Sequence, residues 1–177
     1  HERLVGSEMC IRDRHRTLCT PKAMDNKTKE ARSRNMAMVK ANNTKPELIV
    51  RSMLHRMGFR FRLNRKDLPG KPDIVLPGKK IVVFVHGCFW HQHDNCKKAT
   101  LPKSNLTFWT SKLSKNKLRD QEVKQALIEN GWRVLWIWQC SLSKLQTEET
   151  KRRILEWINS DKKFGEIGLV DKNLNVG

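Results

Sequence analysis

Residues 81–85, Ile-Val-Val-Phe-Val, form an apolar run that leads directly into three histidines and two cysteines within residues 86–96. A short continuous run of β-branched and aromatic residues is typical of a fully buried strand. Two adjacent aromatic residues, Phe89 and Trp90, lie among the potential metal ligands. Because loops on a rigid scaffold are where proteins usually place their chemistry, this strand and its loop predict a functional site.

Strand-like and helix-like patterns alternate along the rest of the chain. Thr44-Lys45-Pro46-Glu47 is a capping box with proline in the first turn, and Gly58 ends the helix that begins there. Helices that flank a central mixed β-sheet make an α/β sandwich, which is the predicted fold class. The further predicted strands are 59–63, 73–76 and 133–138, and the further predicted helices are 105–130 and 147–158.

The net charge is +18, from 36 basic and 18 acidic residues. An excess of this size usually indicates a polyanionic partner, most often nucleic acid, although a purely structural DNA- or RNA-binding protein would share it. No apolar stretch approaches the length of a membrane span. The start shows no secretory pattern, which favours an intracellular and reducing setting.

Residues 1–23 show no apolar periodicity, and Met24 begins a stretch that is typical of an ordinary bacterial start. We therefore expect residues 1–23 to be a non-native or disordered leader and residues 24–160 to be the domain. Residues 161–177 are expected to be a C-terminal tail. A basic DNA-binding arm is the alternative interpretation of the leader.

Outside the leader the chain has three cysteines, Cys88, Cys96 and Cys140. In a reducing compartment this odd number fits a zinc site completed by one histidine better than a disulfide framework. His91 and His93 compete for the fourth position: an extended loop would put both on one side, whereas a turn would separate them. Spacing does not choose between them, and buried cysteines beside hydrogen-bonded histidines are the other interpretation.

Pro72-Asp73 begins the short strand before the apolar run. Alone the dipeptide usually marks a turn or a strand start, but nucleases of the restriction-endonuclease type use such an Asp to bind Mg²⁺. They normally carry Asp/Glu-x-Lys on the next strand, where this chain has residues 83–85, Val-Phe-Val. His86 and His91 lie just beyond, and a neutral imidazole can supply the general base that the missing lysine does not.

Five motifs follow one another in order along the chain: Pro69-Gly-Lys-Pro-Asp73, Phe84-Val-His-Gly-Cys-Phe-Trp-His91, Phe108-Trp109, Asn116-x-x-Arg119-Asp120, and Gly131-Trp-Arg-Val-Leu135 through Cys140. Together they resemble the very short patch repair (Vsr) DNA mismatch endonucleases over about Met24 to Leu142. Residues 32–36 are similar to the N-terminal segment of that family.

The resemblance implies a restriction-endonuclease-like fold with a structural zinc site. It also implies a Mg²⁺-dependent hydrolase that nicks one DNA strand 5′ to the T of a T:G mismatch, the product of 5-methylcytosine deamination, and so initiates very short patch repair. Asp73 and the backbone carbonyl of Val85 would bind Mg²⁺. His91 would activate water, His86 would lie beside the scissile phosphate, and Glu47 would support the metal through water.

The same resemblance implies roles for further residues. The zinc ligands would be Cys88, His93, Cys96 and Cys140. Aromatic wedges that unstack a weak base step would test for the mismatch. The intercalating residues would be Phe89, Trp90 and Trp109, with Met36 entering from the minor groove, and Asn116, Arg119 and Asp120 would support the site.

The expected partner is double-stranded DNA with a T:G mismatch, with mismatch-repair proteins as a further partner. The protein is expected to be a monomer in the bacterial cytoplasm, associated with the nucleoid. Two other functions remain open from the sequence. One is a related restriction-type endonuclease that cuts both strands of matched DNA, and the other is a non-catalytic zinc DNA-binding protein.

Overall fold

A computed structural model describes residues 42–169 together with Thr28, Arg34 and Met38. Residues 1–23 and Met36, to which the sequence assigned a leader and a minor-groove wedge, lie outside the described residues. Within the described part of the chain, no helix is both long and apolar enough to cross a membrane.

A five-stranded mixed sheet forms the centre of the structure. Its strands lie in chain order: β1 (Arg62–Leu63), β2 (Ile74–Leu76), β3 (Ile81–His86), β4 (Arg133–Trp138) and β5 (Phe164–Ile167). β2 is antiparallel to both of its neighbours, β1 and β3, whereas β3, β4 and β5 run parallel to one another. Because β3 and β4 are parallel, their carboxyl ends meet at the same edge of the sheet, and both strands lead into predicted site residues there.

Helices pack on both faces of this sheet: α1 (Lys45–Arg56) and α3 (Thr147–Ile158) on one, and α2 (Leu106–Glu129) on the other. Alternate side chains of a strand point to opposite faces, and β3 follows this rule with both faces buried. Ile81 and Val83 lie in the core that contains residues of α1 and α3, whereas Val82 and Phe84 lie in the core that contains Leu127 of α2. This arrangement confirms the predicted α/β sandwich.

The first helix is bounded as its sequence predicts. The Thr44 side chain and the Glu47 side chain form the reciprocal hydrogen bonds of a capping box. Arg56 is the last residue of the helix and Met57 is its C-cap; Gly58 follows with φ +83°, a conformation that glycine adopts without strain. Glu47 is thereby fixed in the first turn of α1, where it is buried.

Two predicted boundaries were wrong. The strand predicted over residues 59–63 is reduced to Arg62–Leu63, which pair with Val75 and Ile74 of β2, whereas Phe59 and Phe61 pack against the core without pairing. Residues 161–177 were expected to be a tail, but Phe164–Ile167 form β5 and pair in parallel with β4. The signal is weak in the sequence because Gly165 and Glu166 break the apolar pattern. A Cβ atom at Gly165 would lie 2.1 Å from Trp157 Nε1, so packing requires glycine there.

Candidate active site and metal centre

The loop after β3 and the turn after β4 meet at the carboxyl edge of the sheet. His86, the last residue of β3, pairs in register with Trp138, the last residue of β4. A 3₁₀ turn, Gln139–Leu142, follows β4 and carries Cys140. The parallel pairing therefore brings Cys140 beside Cys88 although they are far apart in sequence.

Cys88, His93, Cys96 and Cys140 form one cluster, with one ligand atom of each lying within 4.8 Å of those of the others. Cys88 and Cys140 are buried, and Cys140 Sγ lies 3.4 Å from His93 Nδ1. Three thiols and one imidazole in a closed site are the ligand set of a structural zinc ion. The four residues that the resemblance assigned to zinc are thus brought together.

Hydrogen bonds within this cluster favour a thiolate at Cys140. A hydrogen bond from Cys88 lowers the pKa of Cys140 to about 5, helped by the backbone N–H of Leu169, whose nitrogen is 3.3 Å from Cys140 Sγ. The same contact with Cys140 raises the pKa of Cys88, and burial adds to this effect. Thiolate is the form that binds metal, so the donor set fits a divalent soft or borderline ion.

The conformation of Gln92 separates the two histidines that compete for the metal. Gln92 has φ +48°, so the loop turns between His91 and His93 instead of remaining extended. The Gln92 side chain holds this turn by donating a hydrogen bond of 2.7 Å to the carbonyl of Phe89. As a result His93 lies with the cysteines, whereas His91 lies in a second cluster with His86 and Asp120.

His93 depends on residues that the sequence did not single out. Its ring stacks on Trp138 with a centroid distance of 4.2 Å. A Cβ atom at Gly168 would lie 2.7 Å from His93 Cε1, so the chain after β5 can approach the imidazole only because residue 168 is glycine. Gly168 and Leu169 were assigned to the tail, and only their contacts in the folded chain reveal their place beside the cysteine cluster.

The second cluster contains two stacked imidazoles and one carboxylate. The rings of His86 and His91 are parallel within 2°, with centroids 4.0 Å apart. Asp120 of α2 accepts a hydrogen bond of 2.5 Å at Oδ2 from His91 Nδ1, which would leave the other nitrogen of His91 as the free base. Burial, together with positive charge at His91 and Arg119, holds the pKa of His86 well below its usual range.

Asp73 is largely buried and lies close to the end of β3. Its Oδ2 accepts a hydrogen bond of 2.7 Å from the backbone N–H of Val85. Burial raises the pKa of Asp73 to about 6; the hydrogen bond from Val85 opposes this rise, and the negative charge of Glu47 adds to it. A buried carboxylate with incomplete compensation is suited to bind a hard divalent cation, because Mg²⁺ prefers carboxylate and carbonyl oxygens.

Glu47 is paired with Arg51, a residue that the sequence did not single out. Glu47 Oε2 accepts hydrogen bonds from Arg51 Nη2 at 2.9 Å and from the backbone N–H of Asn43 at 3.0 Å. Its Oε1 accepts from the hydroxyl of Thr44 at 2.7 Å and from the Thr44 backbone N–H at 3.4 Å. A carboxylate has about four acceptor positions, so the capping box and Arg51 already use those of Glu47. The structure gives Glu47 a structural role beside Asp73.

One cavity of about 380 Å³ joins Asp73 to the histidine cluster. His86, His91 and Asp120 line it together with Asp73, so all four residues face one space. Three cationic side chains also line it: Lys66, Lys71 and Arg119. A carboxylate, two imidazoles and a positively charged wall can hold a phosphate diester beside a general base.

The three predicted intercalating aromatics form a second surface next to the histidine loop. Phe89 contacts Trp90 and Trp109 edge to face, with centroid distances of 5.1 Å and 5.3 Å. Asn116 Nδ2 donates a hydrogen bond of 3.1 Å to the carbonyl of Trp90, which fastens the loop to α2. All three aromatics remain partly exposed, as side chains that stack on bases must be.

Phe108 and Lys112, on the first turns of α2, extend this aromatic surface. The Phe108 side chain is 49% exposed and contacts Trp109 edge to face. The Lys112 ammonium lies 5.7 Å from the ring centroids of both Trp90 and Phe108. A cation over aromatic rings at an exposed site suits a surface that meets DNA bases and phosphates.

Comparison with known proteins identifies a family and several relatives of this chain. Residues 24–98 match the family described as DNA mismatch endonuclease Vsr. The type II nicking enzyme V.XorIIP of Xanthomonas oryzae pv. oryzae is 51% identical over 129 residues, covering 73% of this chain and 94% of that protein. The type II nicking enzyme V.NmeAIP of Neisseria meningitidis is 46% identical over 115 residues, covering 65% of this chain and 81% of that protein. The DNA mismatch endonuclease Vsr of Escherichia coli is 40% identical over 133 residues, covering 73% of this chain and 85% of that protein.

Proposed function

Because the chain belongs to the Vsr family of DNA mismatch endonucleases, and is therefore a nuclease with the restriction-endonuclease-like fold of that family, we propose that it nicks one strand of DNA 5′ to the T of a T:G mismatch. The observation that carries this proposal is the shared cavity, in which Asp73 faces His86, His91 and a cationic wall. The reaction would be hydrolysis of one phosphodiester bond and would initiate very short patch repair.

His91 is the proposed general base. Asp120 accepts the hydrogen bond from His91 Nδ1, which fixes the ring orientation and leaves the second nitrogen to take a proton from water. Asp120 also stabilises the imidazolium that forms. Arg119 is exposed and lies beside Asp120, where its guanidinium can contact the phosphate backbone.

His86 is proposed to position the scissile phosphate. It is buried between His91 and the indole rings of Trp136 and Trp138, at centroid distances of 4.8 Å and 5.2 Å from these indoles. A neutral imidazole in this position can donate one hydrogen bond to a phosphate oxygen without adding a charge that would repel a cation. This role is consistent with the lowered pKa of His86.

Asp73 and the carbonyl of Val85 are the proposed ligands of Mg²⁺, and both offer the oxygen atoms that this ion prefers. When bound there, Mg²⁺ would neutralise the charge that develops on the phosphate in the transition state. The Val85 N–H orients Asp73 through its hydrogen bond to Oδ2. Glu47, with its acceptor positions used by Arg51 and the capping box, contributes negative charge near Asp73 and is not proposed as a direct ligand.

Zn²⁺ is the proposed occupant of the cluster of Cys88, His93, Cys96 and Cys140, in a structural role. Four protein ligands leave no open position for substrate. The ion would tie the loop after β3 to the turn after β4. It would thereby hold the aromatic surface and His91, which lie on the same loop, in fixed positions.

Mismatch recognition is proposed to use the aromatic surface of Phe89, Trp90 and Trp109. A mispaired base step costs less to unstack, so an inserted ring discriminates by deformation energy. The surface adjoins the cavity that contains His91, and the lesion and the scissile bond would therefore be bound together. Met36 remains proposed as the minor-groove wedge, the active domain is proposed to begin near Met24, and the monomer is proposed to act in the bacterial cytoplasm at the nucleoid.

The test is incubation with a duplex that contains one T:G pair and carries a different label on each strand, with and without Mg²⁺. We expect a single nick in the T strand, only with Mg²⁺. Cuts in both strands of matched DNA would instead indicate a restriction-type enzyme, and binding without any Mg²⁺-dependent cut would indicate a non-catalytic protein.

Two variants connect the expected nick to the proposed residues. Asp73→Ala and His91→Ala should each abolish nicking while the zinc content of the purified protein stays at one ion per chain. His55→Ala is the matched control, because His55 is exposed on α1 and outside the cavity. Loss of zinc from His91→Ala would show that the assignments of His91 and His93 are reversed.

A further inference from the structure

The cluster of His86, His91 and Asp120 has the composition of a metal site in its own right. One potential ligand atom from each of the three residues lies within 4.8 Å of those of the other two, as in the cysteine cluster. Two imidazoles and one carboxylate are a donor set that binds divalent transition metals such as Zn²⁺, Co²⁺ and Fe²⁺. The three residues come from the end of β3, the loop after it and α2, which are held together by the core.

His86 provides an independent indication of a missing partner. Its side chain is only 4% exposed, and its Nδ1 atom is buried without a hydrogen-bond partner. A buried polar nitrogen without a partner destabilises the folded state, and a ligand bound to it would remove that cost.

We propose that His86, His91 and Asp120 form a second transition-metal site, separate from the cysteine cluster and from Asp73, and that Zn²⁺ bound there inhibits the nuclease. Zn²⁺ bound by Asp120 and His91 Nδ1 would replace the hydrogen bond between them. The ring proton would then lie on the other nitrogen of His91, which could no longer accept a proton from water. Mg²⁺ would not compete effectively for it, because Mg²⁺ prefers oxygen ligands and imidazole nitrogens favour Zn²⁺. The inhibitory part of the proposal rests on the proposed role of His91 as the base; the binding part does not.

The surroundings of the cluster predict binding weaker than that of the cysteine site. The Arg119 guanidinium is 3.8 Å from Asp120 Oδ1 and opposes a nearby cation. The cysteine cluster offers four ligands including thiolates, whereas this cluster offers three and opens to the 380 Å³ cavity. The cysteine cluster should therefore fill first, and excess metal should then enter the histidine site.

The binding test uses Co²⁺ as a spectroscopic probe, added in the absence of Mg²⁺ and DNA to protein whose cysteine cluster already holds Zn²⁺. We expect Co²⁺ to produce visible d–d bands without the near-ultraviolet charge-transfer bands of thiolate ligands. His86→Ala and Asp120→Asn should each weaken this binding at least tenfold, and His55→Ala should not. Because the two variants lie on different elements, misfolding of one would still leave the other to test the site.

Either of two spectroscopic results would overturn the proposal. One is the appearance of thiolate charge-transfer bands, which would mean that Co²⁺ enters only the cysteine cluster. The other is a d–d spectrum that His86→Ala and Asp120→Asn leave unchanged while Asp73→Asn removes it, which would place the ion at Asp73.

The functional test measures nicking of a T:G duplex at saturating Mg²⁺ while free Zn²⁺ is raised above one equivalent per chain. We expect inhibition that added Mg²⁺ does not relieve and that a chelator selective for Zn²⁺ reverses. Unchanged nicking with the histidine site filled would overturn the inhibitory role. A protein that fails to nick T:G DNA under any condition would refute the proposed function, and the Co²⁺ spectrum would still decide whether the site exists.

Discussion

Replacing Asp73 by asparagine should stabilise the protein at neutral pH in the absence of Mg²⁺. Burial raises the pKa of Asp73 from 3.8 to about 6 in the folded chain. At pH values between 3.8 and about 6, the folded state holds a proton that the unfolded state has released. The free energy of unfolding therefore falls as the pH rises from 3.8 to about 6. About two pKa units correspond to a loss of about 3 kcal/mol above pH 6, and none of this loss is present below pH 3.8.

Asparagine is neutral at every pH and still offers an oxygen to accept the hydrogen bond from the Val85 N–H. We therefore expect Asp73→Asn to exceed the wild type in free energy of unfolding by up to about 3 kcal/mol at pH 7.5, and by nearly nothing at pH 4. Urea denaturation of zinc-loaded protein at both pH values measures this difference. Asp161→Asn, at an exposed position after α3, is the matched control and should change little at either pH.

Addition of Mg²⁺ completes the experiment. A ligand that binds only the folded state raises its stability, so Mg²⁺ should recover the stability of the wild type and leave Asp73→Asn unchanged. An Asp73→Asn protein no more stable than wild type at pH 7.5 would refute the reasoning. A stabilisation of equal size at pH 4 would refute it as well, because its cause could not be the buried charge.

Three further predictions concern the parts around the cavity. Glu47→Ala should lower the free energy of unfolding by about 3–5 kcal/mol in urea denaturation, because it leaves the buried Arg51 charge unpaired; a loss below about 1 kcal/mol would contradict the pairing. Cys140→Ser should lose zinc, measured by atomic absorption, and a full zinc complement would remove Cys140 from the ligand set. Trp109→Ala should raise the Kd for a T:G duplex, measured by fluorescence, by about 5- to 150-fold, the equivalent of about 1–3 kcal/mol of stacking. The control variant Leu145→Ala, at a loop position that is 96% exposed, should leave the Kd unchanged. Equal effects of the two variants would contradict a stacking role for Trp109.

The sequence predicted the parts of the fold that depend on local signals. The run of residues 81–85 specifies a strand buried on both faces, and the capping box at Thr44 with Gly58 specifies both ends of the first helix. β5 was missed because two of its four residues are Gly165 and Glu166, and its stability comes from pairing with β4 and from the close approach of Trp157. Such a strand is recognisable only when its neighbour is known.

The candidate site shows the same division between local and tertiary information. The sequence supplied the ligand types and left His91 and His93 as competitors, since their spacing fits either a turn or an extended loop. The positive φ of Gln92 places the two histidines in different clusters, and glutamine has no special preference for that conformation. The pairing of Arg51 with Glu47 has a helical spacing of four residues but gave no functional signal, because most such pairs are exposed and this one is buried.

We propose that this active site acts on DNA because the DNA contains a mismatch. The most direct measurement is the single-turnover nicking rate with Mg²⁺ on two duplexes of identical sequence, one with a T:G pair and the other with T:A at that position. We predict a single nick 5′ to the mispaired T, and a rate on the T:A duplex that is lower by at least two orders of magnitude, the size that about 3 kcal/mol of discrimination gives. Equal rates on the two duplexes, or a cut at another position, would contradict the account.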